Sequence, residues 1–283
     1  MRILFVGDVF GPAGRRAVET ELPDLRGRLE ADFCIVNGEN VADGAGITVK
    51  LTEKLLASGA DVVTTGNHIW RRRDVYPLLE SSSRVIRPAN IAAPGAPGRG
   101  LTVQPATDGT PVAVVNLQGA LFLDVYVHPF GVVDELVEEA RRSSPVIVVD
   151  FHAEATSEKV AMGHWLDGRV SVIFGTHTHV PTADAKVLPG GSAFISDLGM
   201  CGPYDSVLGR RKDRVLKYMT TNMPVPFDVA TGDVRMCGLI AEIDQDTGRA
   251  VSCERVEVKG DNADQAYDAD DKAPPQNNRT HTE

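Results

Sequence analysis

Short apolar runs alternate with amphipathic stretches over the first third of the chain. Three of these runs carry β-branched residues and predict buried strands, at Ile3–Val6, Phe33–Val36 and Asp61–Thr64. A helical pattern follows each run: the first opens at Gly11, the second begins after a Thr48 cap, and the third, which is more polar, extends to Leu79. This alternation predicts an α/β fold with parallel strands and right-handed crossovers.

The pattern changes after Val85. Residues 88–100 are rich in Pro, Gly and Ala and predict a loop, and residues 117–129 form an apolar stretch that fits neither a helix nor a strand. Helical patterns return at Val132–Ala140, at Ser157–Leu166 and around Arg214–Tyr218. The remaining apolar runs predict strands, mostly antiparallel after Asp184, at Leu101–Gln104, Val112–Asn116, Pro145–Phe151, Val172–Phe174, Lys186–Leu188, Ala193–Ile195, Val225–Val229, Val234–Ile243 and Ala250–Val258.

No linker or internal repeat divides the sequence, and 283 residues are enough to bury one large core. We therefore expect a single domain over residues 1–259, with two sheets packed together and helices outside them. Residues 260–283 are polar and contain Asp-Asp and Pro-Pro pairs, which predict a disordered C-terminal tail.

Five of the predicted strands end in side chains that can bind a metal ion or transfer a proton. These side chains are Asp8, Glu39, Asn40, Asn67, His68, His152, His177 and His179. In extended chain, residues two positions apart point the same way, so His177 and His179 can reach one locus. Ligands of open α/β sheets bind at the carboxyl ends of the strands, and we expect all eight side chains to meet there.

Each of these residues also has a purely structural interpretation. Asp8 could cap the following helix, Asn40 could be a turn residue, and His152 could be a hydrogen-bonded core histidine. These interpretations do not explain why successive strands end in the same kind of side chain. Carboxylate, carboxamide and imidazole groups without a thiolate suit Fe, Mn or Zn, and there are enough of them for two ions about 3.5–4 Å apart, the arrangement that hydrolyses phosphate esters.

Composition narrows the possible partners. The net charge of −10 argues against a general nucleic-acid or membrane-surface binder, whereas a small anionic substrate is compatible with a site that holds cations. No apolar run approaches the roughly 20 residues of a membrane span, and the N-terminal run is too short for a signal peptide. The four cysteines, Cys34, Cys201, Cys237 and Cys253, form no C-x-x-C pair, which favours reduced thiols in the cytoplasm.

The motifs at the strand ends carry a family resemblance. They read Gly7-Asp8-Val9-Phe10-Gly11, Asn37-Gly38-Glu39-Asn40, Gly66-Asn67-His68, Phe151-His152-Ala153-Glu154 and Gly175 through Asp184. This series resembles the calcineurin-like metallophosphoesterases and, more narrowly, their bacterial YmdB-like branch, over about residues 1–258. The broad superfamily opens with Asp-x-His, uses Asp as the bridge and often places Asp after its Asn-His pair. Here Phe10, Glu39 and Ile69 stand at those positions, and the narrow branch shares all three departures.

The resemblance implies a fold, an activity and a role for each residue. The implied fold is a four-layer α-β-β-α sandwich of two mixed sheets, and the implied cofactors are two transition-metal ions, iron first, with Mn or Zn as alternatives. One ion would be held by Asp8, Glu39, Asn40 and His179, and the other by Glu39 as the bridge with Asn67, His152 and His177. The implied substrates are cyclic nucleotides, chiefly 2′,3′-cyclic ones, with 3′,5′-cAMP as a further candidate.

In the expected reaction, hydroxide that bridges the two cations attacks phosphorus, and His68 is the general acid that protonates the leaving ribose oxygen. Two other functions stay open: a phosphomonoesterase, such as a nucleotidase or protein phosphatase, and a metal-stabilised regulatory or scaffold protein with little turnover. His68 could instead be a hydrogen-bond partner of a ligand. Contact of Arg71–Arg73 with substrate also stays open, as does a homo-oligomeric state.

Overall fold

The computed structural model describes residues 1–260, which form two β-sheets with helices on their outer faces. The first sheet contains β1 (Arg2–Val6), β2 (Asp8–Val9), β3 (Phe33–Asn37), β4 (Val62–Thr64), β11 (Met200–Pro203), β12 (Val234–Ile243) and β13 (Ala250–Lys259). The second contains β5 (Leu101–Pro105), β6 (Pro111–Gln118), β7 (Val146–His152), β8 (Val172–Thr176), β9 (Lys186–Val187) and β10 (Ala193–Ile195). The predicted C-terminal tail lies outside the described residues.

The helices fill the connections between strands. The α-helices are α1 (Gly11–Arg28), α2 (Val49–Ala57), α3 (Tyr76–Ser81), α4 (Val133–Arg141), α5 (Thr156–Leu166) and α6 (Lys212–Thr221), and short 3₁₀ turns lie at Ile69–Arg71, Arg73–Val75 and Pro129–Gly131. The hydroxyl of Thr48 accepts a hydrogen bond from the Leu51 amide at 3.3 Å, so the predicted cap of the second helix is confirmed. Within residues 1–260, no helix combines the length and apolarity needed to cross a bilayer.

The predicted parallel pairing is confirmed in both sheets. In the first sheet β3 lies between β1 and β4 and runs parallel to both. In the second sheet β6, β7, β8 and β10 are adjacent and parallel. In each sheet the carboxyl ends of these parallel strands therefore lie at one edge. The candidate site residues lie at or just after the carboxyl ends of β1, β3, β4, β7 and β8.

Successive side chains of β1 point into two different hydrophobic cores, so this strand is covered on both faces. Ile3 and Phe5 face the second sheet, where the Phe5 ring lies 4.9 Å from that of Phe174. Leu4 and Val6 point the other way and pack under α1 and α2.

A third core covers the outer face of the second sheet. There α4 and α5 pack through Val137 and Met162 against Val149 and Ile173. The order of layers is therefore helix, sheet, sheet, helix, and the predicted sandwich is confirmed.

One strand prediction was wrong, and two short strands were not predicted. Val225–Val229 is not a strand: Pro224 and Pro226 remove alternate backbone donors, and only Val229 forms an isolated bridge, to Arg210. The short strands β2 and β11 were not predicted, because runs of two and four residues are too short to show a strand period. After Asp184 the pairing is mostly antiparallel, as predicted: β9 is antiparallel to β10, and β12 is antiparallel to β1, β11 and β13. The two exceptions among these strands are β10, which is parallel to β8, and β11, which is parallel to β2.

Candidate metal centre

The structure brings all eight predicted site residues together where the two sheets meet. Contacts of 3.9 Å or less connect Asp8, Glu39, Asn40, Asn67, His68, His152, His177 and His179 into one group. Asp8 follows β1, Glu39 and Asn40 follow β3, Asn67 and His68 follow β4, His152 ends β7, and His177 and His179 follow β8. Their placement fits the expected site, and their individual roles as ligands or acid stay predictions.

One half of the site is centred on Glu39. Its Oε2 lies 2.5 Å from Nε2 of His152, which is 3.1 Å from Nδ1 of His177 and 3.1 Å from Oδ1 of Asn67. The ligand atoms of Glu39, His152 and His177 all lie within 4.8 Å of one another. Glu39 and His152 are fully buried, so these groups face one another and not water.

The other half is centred on Asp8, which is also fully buried. Its Oδ1 lies 3.9 Å from Nε2 of His179, and its Oδ2 accepts a hydrogen bond from the His177 amide at 3.0 Å. The amide of Asn40 lies between two rings, with Nδ2 at 3.2 Å from Nε2 of His179 and Oδ1 at 3.0 Å from Nδ1 of His68. The site therefore has two adjacent halves. Glu39, Asn67, His152 and His177 form one half, and Asp8, Asn40 and His179 form the other.

His177 and His179 reach these two halves by a route that the sequence did not predict. Strand β8 ends at Thr176, and the backbone φ angles of His177 and His179 are +98° and +66°. The two residues are thus in the left-handed region and not in extended chain, so the prediction that strand alternation aligns them was wrong. Their side chains diverge, one toward Glu39 and the other toward Asp8.

A buried ion pair stabilises this unusual loop. Asp197 Oδ2 accepts hydrogen bonds from the Thr178 amide at 3.1 Å and from its hydroxyl at 2.7 Å, between the two histidines. The Lys159 ammonium donates to the same oxygen at 2.6 Å. Residues held in sparsely populated backbone conformations persist only where the surroundings enforce them, and this clamp supplies that constraint.

The outward nitrogen of each histidine in the site lies beside an oxygen. Nδ1 of His152 is 2.9 Å from Oγ1 of Thr176, Nε2 of His177 is 3.1 Å from Oε2 of Glu154, and Nδ1 of His179 is 3.2 Å from the carbonyl of Leu208. An outward N–H that donates to an acceptor leaves the inward nitrogen for a metal ion, which is the usual arrangement around metal-binding histidines.

Burial and mutual charge set the protonation of the group. Burial raises the pKa of Asp8 to about 8, and burial together with the charge of His152 lowers the pKa of His177 to about 3. Burial would disfavour charge on Glu39 and His152 too, but their mutual attraction lowers the pKa of Glu39 to about 2 and raises that of His152 to about 9. The protein alone therefore holds a proton where these groups converge, and a bound cation would replace that proton.

Two observations test whether metal ions fit here. Oδ1 of Asp8 is a buried oxygen without a hydrogen-bond partner among residues 1–260, and Oε2 of Glu39 is buried with Nε2 of His152 as its neighbour at 2.5 Å. A Cβ atom at Gly66 would lie 2.2 Å from Nε2 of His152 and 2.5 Å from Oε2 of Glu39, so only glycine leaves this space open. Buried carboxylate oxygens and inward imidazoles fit divalent transition-metal ions, and the absence of thiolates from this group argues against a structural zinc site of the cysteine type.

His68 lies at the edge of this group. Its amide donates to Oε1 of Glu39 at 2.5 Å, and its side chain is 28% exposed, in contrast to Glu39 and His152. Burial lowers the pKa of His68, while the charge of Glu39 opposes that effect. Of the nearby arginines, Arg72 lies 3.6 Å from the Asp43 carboxylate.

Phe10 occupies the position where the broad superfamily has a histidine ligand. Its buried ring lies edge-on to the His179 ring at 5.2 Å, and the Arg210 guanidinium lies over it at 4.9 Å. The apolar ring therefore supports a predicted ligand in place of being one.

Sequence reasoning missed several residues around the site. Asp150, Thr176, Lys159 and Asp197 are fully or almost fully buried, and none was proposed. Asp150 did carry a signal, because it is the one charged residue within the apolar run Val146–Phe151. Lys159 carried another, since it stands three residues before the buried Met162 on α5.

Several known proteins are similar to this chain in sequence or in fold. A family model described as YmdB-like protein matches residues 4–256. A Bacillus subtilis (strain 168) protein named 2′,3′-cyclic-nucleotide 2′-phosphodiesterase is 46% identical over 261 residues, which cover 92% of this chain and 98% of that protein. A crystal structure from Mycoplasma pneumoniae described as a novel phosphatase has a TM-score of 0.85 at 34% identity, covering 92% and 93% of the two chains. The calcineurin-like phosphoesterase YfkN from Bacillus subtilis, at 10% identity, has a TM-score of 0.58 over 92% and 90%, which shows a shared fold alone.

Proposed function

This chain belongs to the YmdB-like family, and on that premise we propose that it is a metal-dependent phosphodiesterase that hydrolyses cyclic nucleotides, 2′,3′-cyclic ones first. The name of the Bacillus subtilis relative, 46% identical across nearly the whole of both chains, supports this reaction class. The observation that carries the proposal is the convergence of Glu39, His152 and His177, whose ligand atoms lie within 4.8 Å of one another, together with the buried Oδ1 of Asp8, which has no hydrogen-bond partner among the described residues.

We propose two ions, with iron as the first candidate and Mn or Zn as alternatives. Asp8, Glu39, Asn40 and His179 would hold one ion, and Glu39, Asn67, His152 and His177 would hold the other. When bound, such a pair of cations lowers the pKa of water and neutralises charge on a phosphoryl group. The split of the site into a Glu39 half and an Asp8 half supports this assignment.

We propose that His68 protonates the leaving oxygen. Its Nδ1 is engaged by Oδ1 of Asn40 at 3.0 Å, which leaves Nε2 to carry the transferred proton. The ring is more exposed than the buried ligand candidates, so a substrate phosphate bound over the site can approach it. Proton transfer from such a positioned group typically contributes about 10²–10⁴-fold to rate.

A cytoplasmic location is part of the proposal. The cysteines of the chain are free thiols, three of them buried, and no disulfide is needed to hold the fold. The expected substrate is a small anionic molecule that the cations attract locally despite the net charge of −10.

A substrate panel tests the reaction. Protein purified without added metal is analysed for its ions and assayed with 2′,3′-cAMP, 3′,5′-cAMP, 5′-AMP and a phosphopeptide. We expect the highest kcat/KM with 2′,3′-cAMP, loss of activity after chelation and recovery when metal is restored. Equal or faster turnover of 5′-AMP or the phosphopeptide would instead support a phosphomonoesterase, the alternative favoured by the description of the Mycoplasma pneumoniae relative.

A pair of histidine variants tests the general acid. His68→Ala is expected to lower kcat about 10²–10⁴-fold. His164→Ala is the matched control, because His164 lies on the exposed face of α5, and its activity should equal that of the parent. Equal and low activity in the parent and His68→Ala would favour a scaffold protein over an enzyme.

A further inference from the structure

We propose that Asp150 is a positioning residue of the metal centre, which acts through the hydroxyl of Thr176 to fix the orientation and the proton of the His152 ring. The inference rests on the proposed metal site, and it assigns a role to two residues that are not themselves proposed as ligands. Asp150 stands two residues before His152 on β7, on the face that meets the first sheet.

The carboxylate of Asp150 is fully buried and surrounded by donors from both sheets. Its Oδ2 accepts hydrogen bonds from the Thr64 hydroxyl at 2.5 Å and from Nδ2 of Asn37 at 3.1 Å. Its Oδ1 accepts one from the Thr176 hydroxyl at 2.8 Å. The Asn37 amide has a fixed orientation, because its Oδ1 accepts from the Glu39 amide at 3.1 Å. Asp150 is therefore an acceptor on every side.

This arrangement determines the proton on His152. The Thr176 hydroxyl has one hydrogen, and that hydrogen points to Asp150. The same oxygen lies 2.9 Å from Nδ1 of His152 and can only accept there, so Nδ1 carries a hydrogen. Nε2 is thereby turned toward Glu39 and is left as the nitrogen that can bind an ion.

The simpler interpretation is that Asp150 only satisfies polar groups buried between the sheets. Thr64 provides a matched control, since it donates to the same carboxylate from the other sheet and hydrogen-bonds to Asp150 rather than to His152. A merely structural network predicts equal consequences when either hydroxyl is removed. A positioning role predicts that metal binding depends on Thr176 alone.

The test compares Thr176→Val, Thr64→Val and Thr176→Ser in the full chain, with Zn²⁺ affinity measured by competition with a fluorescent chelator and folding measured by urea unfolding. We expect both valine variants to lower the unfolding midpoint similarly, while only Thr176→Val weakens Zn²⁺ binding, by about 10–100-fold. Thr176→Ser keeps the hydroxyl and should bind Zn²⁺ like the parent. Equal Zn²⁺ affinity in the two valine variants would overturn the proposal.

A measurement on the parent keeps the proposal testable if a valine variant does not fold. In the Zn²⁺-loaded chain, nuclear magnetic resonance should detect a slowly exchanging Nδ1–H on His152, and Thr176→Ser should shift it. A hydrogen on Nε2 instead would refute the assignment. If the parent binds no divalent ion, the proposed function itself fails. If the parent binds Zn²⁺ and Thr176→Val binds it with the same affinity, only the role of Asp150 is refuted.

Discussion

Lys159 and Asp197 form a buried ion pair directly behind the loop that carries His177 and His179. The two side chains are 2% and 1% exposed, and Nζ of Lys159 lies 2.6 Å from Oδ2 of Asp197. Lys159→Met is a suitable perturbation, because methionine keeps an unbranched side chain in the same space and removes only the charge and its hydrogen bonds.

The size of the effect follows from what remains around Asp197. Removing one partner of a buried ion pair typically costs about 3–5 kcal/mol, because the other charge stays buried without compensation. Asp197 keeps three donors, the amide and hydroxyl of Thr178 and the amide of Gly199 at 2.8 Å. We therefore expect the lower end of that range, a loss of about 3 kcal/mol in the free energy of unfolding.

Urea unfolding of the metal-free chain measures this loss. With an m-value of about 3 kcal/mol/M, the midpoint should fall by about 1 M. Lys212→Met is the matched control, because Lys212 pairs with Asp205 at the surface, where the two side chains are 52% and 59% exposed. Its expected change is below about 0.5 kcal/mol, since exposed pairs are screened by water.

A Lys159→Met chain as stable as Lys212→Met would refute this reasoning. The double variant Lys159→Met with Asp197→Asn provides a second check. Removing both charges should recover part of the lost stability, because the uncompensated carboxylate is then absent. A double variant less stable than Lys159→Met would show that the hydrogen bonds of Asp197, and not its charge balance, dominate.

Three further outcomes are expected. Gly66→Ala should abolish binding of added Mn²⁺ in a chelator competition, because the new methyl group would lie 2.2 Å from Nε2 of His152; normal binding would contradict the geometry. Mn²⁺ at about 100 times its Kd should stabilise the parent by about 2.7 kcal/mol in thermal unfolding, and Glu39→Gln should lose that gain, unless Glu39 is not a ligand. Thr48→Ala should lower the free energy of unfolding in urea by about 1 kcal/mol, because it removes the helix cap at the Leu51 amide; no change would mean that water replaces the cap.

Much of the fold could be predicted because its strands and helices produce local patterns of hydrophobic residues in the sequence. β-Branched runs such as Phe33–Val36 are buried on both faces, and each is followed by a helical pattern, which is sufficient to predict parallel strands and a common carboxyl edge. The placement of Asp8 and Glu39 at one edge of the first sheet follows from that topology alone, whereas the approach of His152 from the second sheet also depends on how the two sheets pack. The assignment of these residues as ligands came instead from the resemblance to a family.

The parts that could not be predicted depend on packing between distant segments. The hydrogen bond from Thr64 to Asp150 joins residues 86 positions apart on different sheets, and the pair of Lys159 and Asp197 spans 38 positions. No local period records such partners, although a charged residue within an apolar run is a sign that one exists. The left-handed backbone of His177 could not be predicted either, because contacts with distant residues enforce a conformation that histidine does not prefer.

Phe10 shows how the sequence and the structure can lead to different interpretations of one residue. A phenylalanine in place of a histidine ligand reads, in the sequence, as a loss of metal-binding capacity. In the structure the ring contacts His179 and lies under Arg210, whose guanidinium donates to the carbonyls of Asp43 and Gly44 in the loop that follows Asn40. Phe10 thus packs against His179 directly and, through Arg210, is connected to the loop that follows Asn40, so both segments are fixed without an imidazole at position 10.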